Sequence, residues 1–137
     1  MLADIRGWRN DNPGNIRHGP RWVGLRAIQT DNSFSQFTSP EFGIRALARL
    51  LINYQRKYRL TTIRLLINRY APPVENDTDA YVNHVAAMVG TKPDLGYMLT
   101  DKTLLTDLSA AIIVHECGIQ PYSRDVIERG VTMAMEA

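Results

Sequence analysis

The stretch Leu104–Tyr122, LLTDLSAAIIVHECGIQPY, constrains the chain most, because it specifies an apolar helix and also where that helix must stop. Leu105, Leu108, Ile112 and Glu116 fall at i, i+3, i+7 and i+11, one face of an α-helix. Gly118 suits the left-handed residue that follows a last turn, and Pro121 forbids continuation, so the helix ends within a residue or two of Glu116. A carboxylate on the inward stripe at a helix end stands at a rim, with an apolar wall on one side and a cleft on the other. Desolvation there favours the neutral acid, the state from which a general acid protonates a glycosidic oxygen. The plainer reading is a surface Glu in a last turn, a place where the helix dipole disfavours negative charge.

A chain of 137 residues is expected to form one domain, residues 1–137, with an independent core. With 45% hydrophobic and 22% charged residues it reads as soluble and globular, and no apolar run reaches the roughly 20 residues of a membrane span. MLADIRGWRN carries no apolar signal-peptide core, so synthesis in the cytoplasm is expected. The single Cys117 excludes an internal disulfide. As a nucleophile it would need His115, but adjacent helical positions point apart. His18, His84 and His115 lie in separate segments without metal-ligand spacing, and no Gly-rich phosphate loop occurs, so neither a metal nor a cofactor is expected. Thirteen of the sixteen basic residues are Arg. Arg6, Arg9, Arg17, Arg21 and Arg26 crowd the first thirty positions, a pattern suited to an anionic polymer, either nucleic acid or a cell wall with free carboxylates.

In chain order, GWRNDNPGNIR at residues 7–17 reads as a loop with a tight turn at Asn12-Pro13-Gly14-Asn15. Two apolar-alternating runs, Trp22 to Ile28 and Ser33 to Phe37, split by Thr30-Asp31-Asn32, predict a small β-hairpin packed on helices. Ser39-Pro40-Glu41 opens a helix to about Tyr58 with Ile44, Leu47, Leu51, Tyr54 and Tyr58 inward. Thr61 or Thr62 caps a helix carrying Ile63, Leu66, Ile67 and Tyr70, ended by Pro72-Pro73. Thr78 caps a fourth, with Tyr81, Val85, Met88 and Val89, closed by Gly90. After the helix of Glu116, Ser123 opens a last one with Val126, Ile127, Val131 and Ala134 inside. Five helices and one hairpin make an α+β domain, mainly helical.

These segments carry a resemblance in two layers. NPGNIR, the GIRALARLL helix, YAPPVENDTDAY and the terminal HECG are similar to a family of small bacteriophage proteins, often described as virion or structural proteins. Beneath that, AAIIVHECGIQPY resembles the catalytic segment of the lysozyme-like superfamily, which includes soluble lytic transglycosylases, goose-type lysozymes and flagellar-type glucosaminidases. NPGNIR with the hairpin is similar to the Asn-rich turn and hairpin of the glucosaminidases. RYAPPVENDTDAYVNHV resembles the segment lining the transglycosylase cleft. In those enzymes the catalytic helix comes first, so the resemblance implies a circularly permuted lysozyme-like domain. Ala71 stands where the cleft segment has Asn, and their Gly-Leu-Met-Gln segment has no counterpart.

The resemblance implies that Glu116 is the catalytic acid and that the substrate is the glycan strand of peptidoglycan. Glycosidases commonly use two carboxylates about 5 to 9 Å apart. Here Glu75 and Asp31 are the alternatives for a partner, each also readable as a loop or cap residue. With one carboxylate the implied chemistry is that of a lytic transglycosylase. Glu116 protonates the oxygen between N-acetylmuramic acid and N-acetylglucosamine, then acts as base on the C6 hydroxyl to give an anhydro product; hydrolysis by water is the close variant. Tyr70, Tyr81, Tyr122, Asn15 and Asn76 are the expected groove residues, since sugars offer apolar ring faces and many hydroxyls. The protein is expected to work as a monomer on the cell wall, carried in the virion or released at lysis. The rival is a non-enzymatic virion or nucleic-acid-binding protein using the Arg-rich segment.

Overall fold

The computed structural model describes residues 1–137. Its six α-helices are α1 Arg6–Arg9, α2 Pro40–Tyr58, α3 Ile63–Tyr70, α4 Thr78–Val89, α5 Lys102–Cys117 and α6 Arg124–Met135, preceded by a 3₁₀ turn at Leu2–Asp4. α5 is the centre. Leu105, Leu108 and Ile112 are buried on one face and Thr106, Ser109 and Ile113 on another, and the helix packs against α1, α2, α4 and α6. Asp101 caps its first turn by accepting from the Leu104 N–H, and Gly118 ends it at φ +80°, a conformation that costs glycine least.

The other helices start where their caps dictate. Ser39 caps α2 with Pro40 at its first position, Thr62 caps α3 and Ser123 caps α6. α4 begins one residue earlier than its sequence suggests. Asp77 is the cap, and the Thr78 hydroxyl donates to the Ala71 carbonyl at 2.6 Å. Two inward residues are also misplaced by simple periodicity, since Tyr58 and Met88 lie exposed at the last turns of α2 and α4. The α2 stripe is broader than one row of side chains. Ala46, Ala48, Ile52 and Gln55 are buried with Ile44, Leu47 and Leu51, because α2 is covered by α6 on one side and by α3 and α5 on others.

The expected α+β lysozyme-like architecture, with five helices, a β-hairpin and a permuted order, is not the fold of this chain. The structure is all-helical, with six helices and no sheet. Only isolated bridges occur, Arg17 with Phe34, Leu25 with Phe37 and Thr62 with Gly96. Residues 22–37 alternate as a strand pair should, but side chains take the ladder's place. The Gln29 carboxamide oxygen accepts from the Gln36 N–H at 2.7 Å and its amide donates to the Gln36 carbonyl at 2.8 Å. The Gln36 carboxamide in turn accepts from the Thr30 and Asp31 N–H groups. Backbone groups satisfied by nearby amides have no need of a partner strand. The sixth helix, α1, arises inside the segment that its turn formers marked as loop.

Asp31 closes this region. Its carboxylate accepts two bonds from the Arg6 guanidinium at 2.7 Å each, one from the Asn10 amide, and one each from the Ser33 and Phe34 N–H groups. Arg6 first, then the two backbone donors and Asn10, hold the Asp31 carboxyl far below the usual carboxylate range. Stability from a depressed carboxyl is complete above its unfolded value of about 3.9 and is lost as pH falls toward the folded value. The thermal midpoint should therefore fall as pH is lowered from about 4 to about 2, and fall less steeply in Asp31→Asn. Close packing sets a second expectation. A Cβ at Gly43 would collide with the backbone carbonyl of Asp11. Gly43→Ala should cost at least the ~1–3 kcal/mol typical of overpacking, read from denaturant midpoints.

Candidate functional site

Glu116 sits in the last turn of α5 and is the meeting point of three distant segments. Its Oε1 accepts from the Asn15 side-chain amide at 3.0 Å and its Oε2 from the Tyr81 hydroxyl at 2.7 Å. Asn15 is delivered by a turn that its own neighbours build. The Asn15 N–H donates to the Asn12 carbonyl at 3.0 Å, and Asn15 adopts φ +50°, which Asn tolerates better than most residues. Asn12, with 0% exposure, locks the turn from within: its amide donates to the carbonyls of Ile16 and Ser35 at 2.9 Å each, and its oxygen accepts from the Ile16 N–H. Two further side chains hold the turn from outside. The Tyr70 hydroxyl donates to the Gly14 carbonyl, and the Cys117 thiol approaches the Pro13 carbonyl at 3.6 Å.

Behind the carboxylate the wall is dry. Tyr81 is 2% exposed, and its ring stacks on His115 with centroids 3.6 Å apart. Burial, with Tyr70 and Glu116 close by, pushes the Tyr81 hydroxyl far above its ordinary value; burial and then Glu116 do the same to Tyr70. Both phenols therefore remain donors. Cys117 is pushed up to about 11 by burial and then by Glu116, which leaves it a neutral thiol. His115, half-buried, is lowered by burial, and its Nδ1 lies 2.8 Å from the Nδ1 of exposed His84, a contact in which one ring donates and the other accepts.

In front of Glu116 opens a cleft of about 550 Å³. Asn15, Tyr70, Asn76, Glu75 and Glu116 all line it, so the structure brings five of the seven residues expected from the sequence to one place. Tyr81 touches the carboxylate from the core side and does not line the cleft. Tyr122 is elsewhere, half-buried against the core, with a buried hydroxyl that has no partner. Glu75 is exposed at the cleft and lies 3.6 Å from the Arg17 guanidinium, while Asn76 donates to the Pro72 carbonyl at 3.1 Å. Asp31 is engaged by Arg6 and does not line the cleft.

Five further lining residues are not among the expected groove residues. Trp22 and Phe34 read as hairpin side chains, Tyr54 as core and Arg17 as one of the N-terminal arginine cluster, while nothing in the sequence marks Arg69; all five line the cleft. The Arg cluster of the first thirty residues is largely spent internally. Arg6 pairs with Asp31, Arg26 with Asp11 and Arg17 with Glu75, and Arg9 donates to the Ala3 carbonyl. No helix is long and apolar enough to cross a membrane.

Fold and site together define an all-helical domain whose cleft is organised about one carboxylate, held by an amide and a phenol. No family model matches the chain. The chain belongs to the family of Protein P5 of Pseudoalteromonas phage PM2, to which it is 41% identical over 129 residues, 91% of this chain and 79% of that protein. The relative's origin supports a bacteriophage source, and its name states no activity.

The two tyrosines that miss the cleft should separate in stability. Tyr81→Phe removes a donor from a carboxylate and should cost about 1.5–3 kcal/mol. Tyr122→Phe removes a hydroxyl without a partner and should be neutral or slightly stabilising. Denaturant midpoints of the two variants provide the comparison.

Proposed function

We propose that the protein cleaves the glycan strands of peptidoglycan between N-acetylmuramic acid and N-acetylglucosamine, as a lytic transglycosylase with Glu116 as its acid and base. The observation that carries this reading is the placement of Glu116: a carboxylate fixed by two donors at the wall of a cleft lined by aromatic rings and amides. Asn15 and Tyr81 restrict the carboxylate to one orientation, which is what proton delivery to a bound oxygen requires. Trp22, Tyr54 and Tyr70 supply aromatic lining for sugar rings, and Asn76 supplies an amide. The resemblance of AAIIVHECGIQPY to the catalytic segment of lytic transglycosylases, one of sequence alone, belongs to the same proposal.

Glu116 works alone in this scheme. Glu75 lines the cleft 3.6 Å from Arg17 and is given no part in this scheme. Glu116 first protonates the leaving oxygen while the substrate's N-acetyl group assists departure at the anomeric carbon. The carboxylate then takes the proton of the C6 hydroxyl, which closes the anhydro ring and returns the acid. The ion pairs of Arg6, Arg17 and Arg26 weigh against the rival reading as a nucleic-acid-binding protein, because paired guanidiniums release fewer counterions from a phosphate backbone. Action at the cell wall, from the virion or at lysis, is part of this proposal.

Glu116→Gln is the test. Gln keeps the shape, and with its oxygen accepting from Asn15 its NH2 faces the Tyr81 hydroxyl, which can accept, but it delivers no proton, so turnover of purified peptidoglycan should fall at least ~10²–10⁴-fold with little change in thermal midpoint. Mass spectrometry of released muropeptides should show anhydro ends in the native protein. Retained turnover in well-folded Glu116→Gln would remove Glu116 from catalysis and point to Glu75, and reducing ends would identify a hydrolase.

A further inference from the structure

The cleft holds two cations, and they are not equivalent. Arg17 is opposite Glu75 at 3.6 Å. Arg69 has no ion pair. Its guanidinium carbon lies 3.7 Å from the centroid of the Tyr58 ring and 5.5 Å from that of Tyr54, so two aromatic side chains of α2 fix a residue of α3 beside Tyr70. Stacking occupies the face of a guanidinium and leaves its N–H edge free for a planar, bidentate acceptor. A guanidinium held by two rings, without an ion pair and on the wall of an open cleft is a site suited to an anion.

We propose that Arg69 binds a carboxylate of the glycan, so that the cleft selects carboxylate-bearing strands over neutral amino-sugar polymers. The inference rests on the peptidoglycan reading above and makes Arg69 a specificity-determining residue. Two groups share this chemistry: the free lactyl carboxylate of a peptide-free strand, and the carboxylates of a stem peptide when the lactyl group is amide-linked. Arg69 is the better reader of either than a lysine would be, because its fork matches both oxygens at once.

Binding, separated from turnover, tests this. Dissociation constants of Glu116→Gln and of Glu116→Gln with Arg69→Gln are measured by calorimetry for chitotetraose, for a peptide-free tetrasaccharide of alternating N-acetylglucosamine and N-acetylmuramic acid, and for its peptide-bearing counterpart. The Arg69→Gln change should weaken binding about 10- to 100-fold for the anionic ligand that Arg69 reads and leave chitotetraose unchanged. The ligand that loses affinity identifies the lactyl or the stem carboxylate as the source. Arg69→Lys keeps the charge without the fork and should fall between the two, and it provides the reading if Arg69→Gln does not fold. Equal losses on neutral and anionic ligands, or no preference before the Arg69 change, would overturn the assignment while leaving the peptidoglycan reading intact. Absence of binding to all three glycans would overturn both.

Discussion

The structure depends on how α5 is covered. A helix with large side chains on two faces cannot leave either in water, so α2 and α6 must lie against one side and α1 and α4 against the others. Burying residues such as Leu105, Ile112 and Ile113 stabilises by roughly 1.5–3 kcal/mol each, and no other helix here is enclosed from so many directions. Because α5 is packed against four other helices, its C-terminal turn is a firm platform. Glu116 inherits that rigidity, and so does the cleft it faces.

Polar anchors do for the loops what apolar burial does for the helices. Residues 10–37 bury no large continuous core of their own, yet they are ordered by Asn10, Asn12, Gln36 and Asp31, whose side chains take up backbone groups that would otherwise need strands. Gln55 plays the same part at the far end of α2. Its amide donates to the carbonyls of Leu60 and Tyr97 and its oxygen accepts from the Leu99 N–H at 2.7 Å, which ties the loop before α5 to the bundle. Each such residue is satisfied and all but Asp31 are buried, the condition under which a polar group in an interior specifies one arrangement without a large cost.

The site combines both devices. The carboxylate comes from the rigid helix, one of its donors from the core face of α4 and the other from the anchored turn, with sequence separations of 35 and 101 residues. A dry wall behind Glu116 and an open cleft before it give the two oxygens fixed partners while leaving the group half-exposed. Arg69 is held in a comparable way by the rings of Tyr58 and Tyr54, so each of these two charged groups has fixed partners of its own.

What the sequence determined by itself was local. The period of Leu105, Leu108 and Ile112, the stop at Gly118, the caps at Ser39, Thr62 and Ser123, and the turn at Asn12–Asn15 follow from side-chain spacing and backbone preference within a few residues, and all are in the structure. The same spacing put Glu116 on the inward stripe at a helix end. Tertiary structure decided the rest. Strand alternation at residues 22–37 was overruled by glutamine and aspartate side chains that reach the backbone first, and Thr78 lost its cap to Asp77 because its hydroxyl is drawn to Ala71. Whether a tyrosine lines a cleft or backs it depends on which helix lies across from it. Tyr70 and Tyr81 look alike in the sequence, yet one opens onto the cavity and the other is sealed behind His115. Periodicity assigns a face to a side chain, but the partner of that face is chosen only when the helices pack.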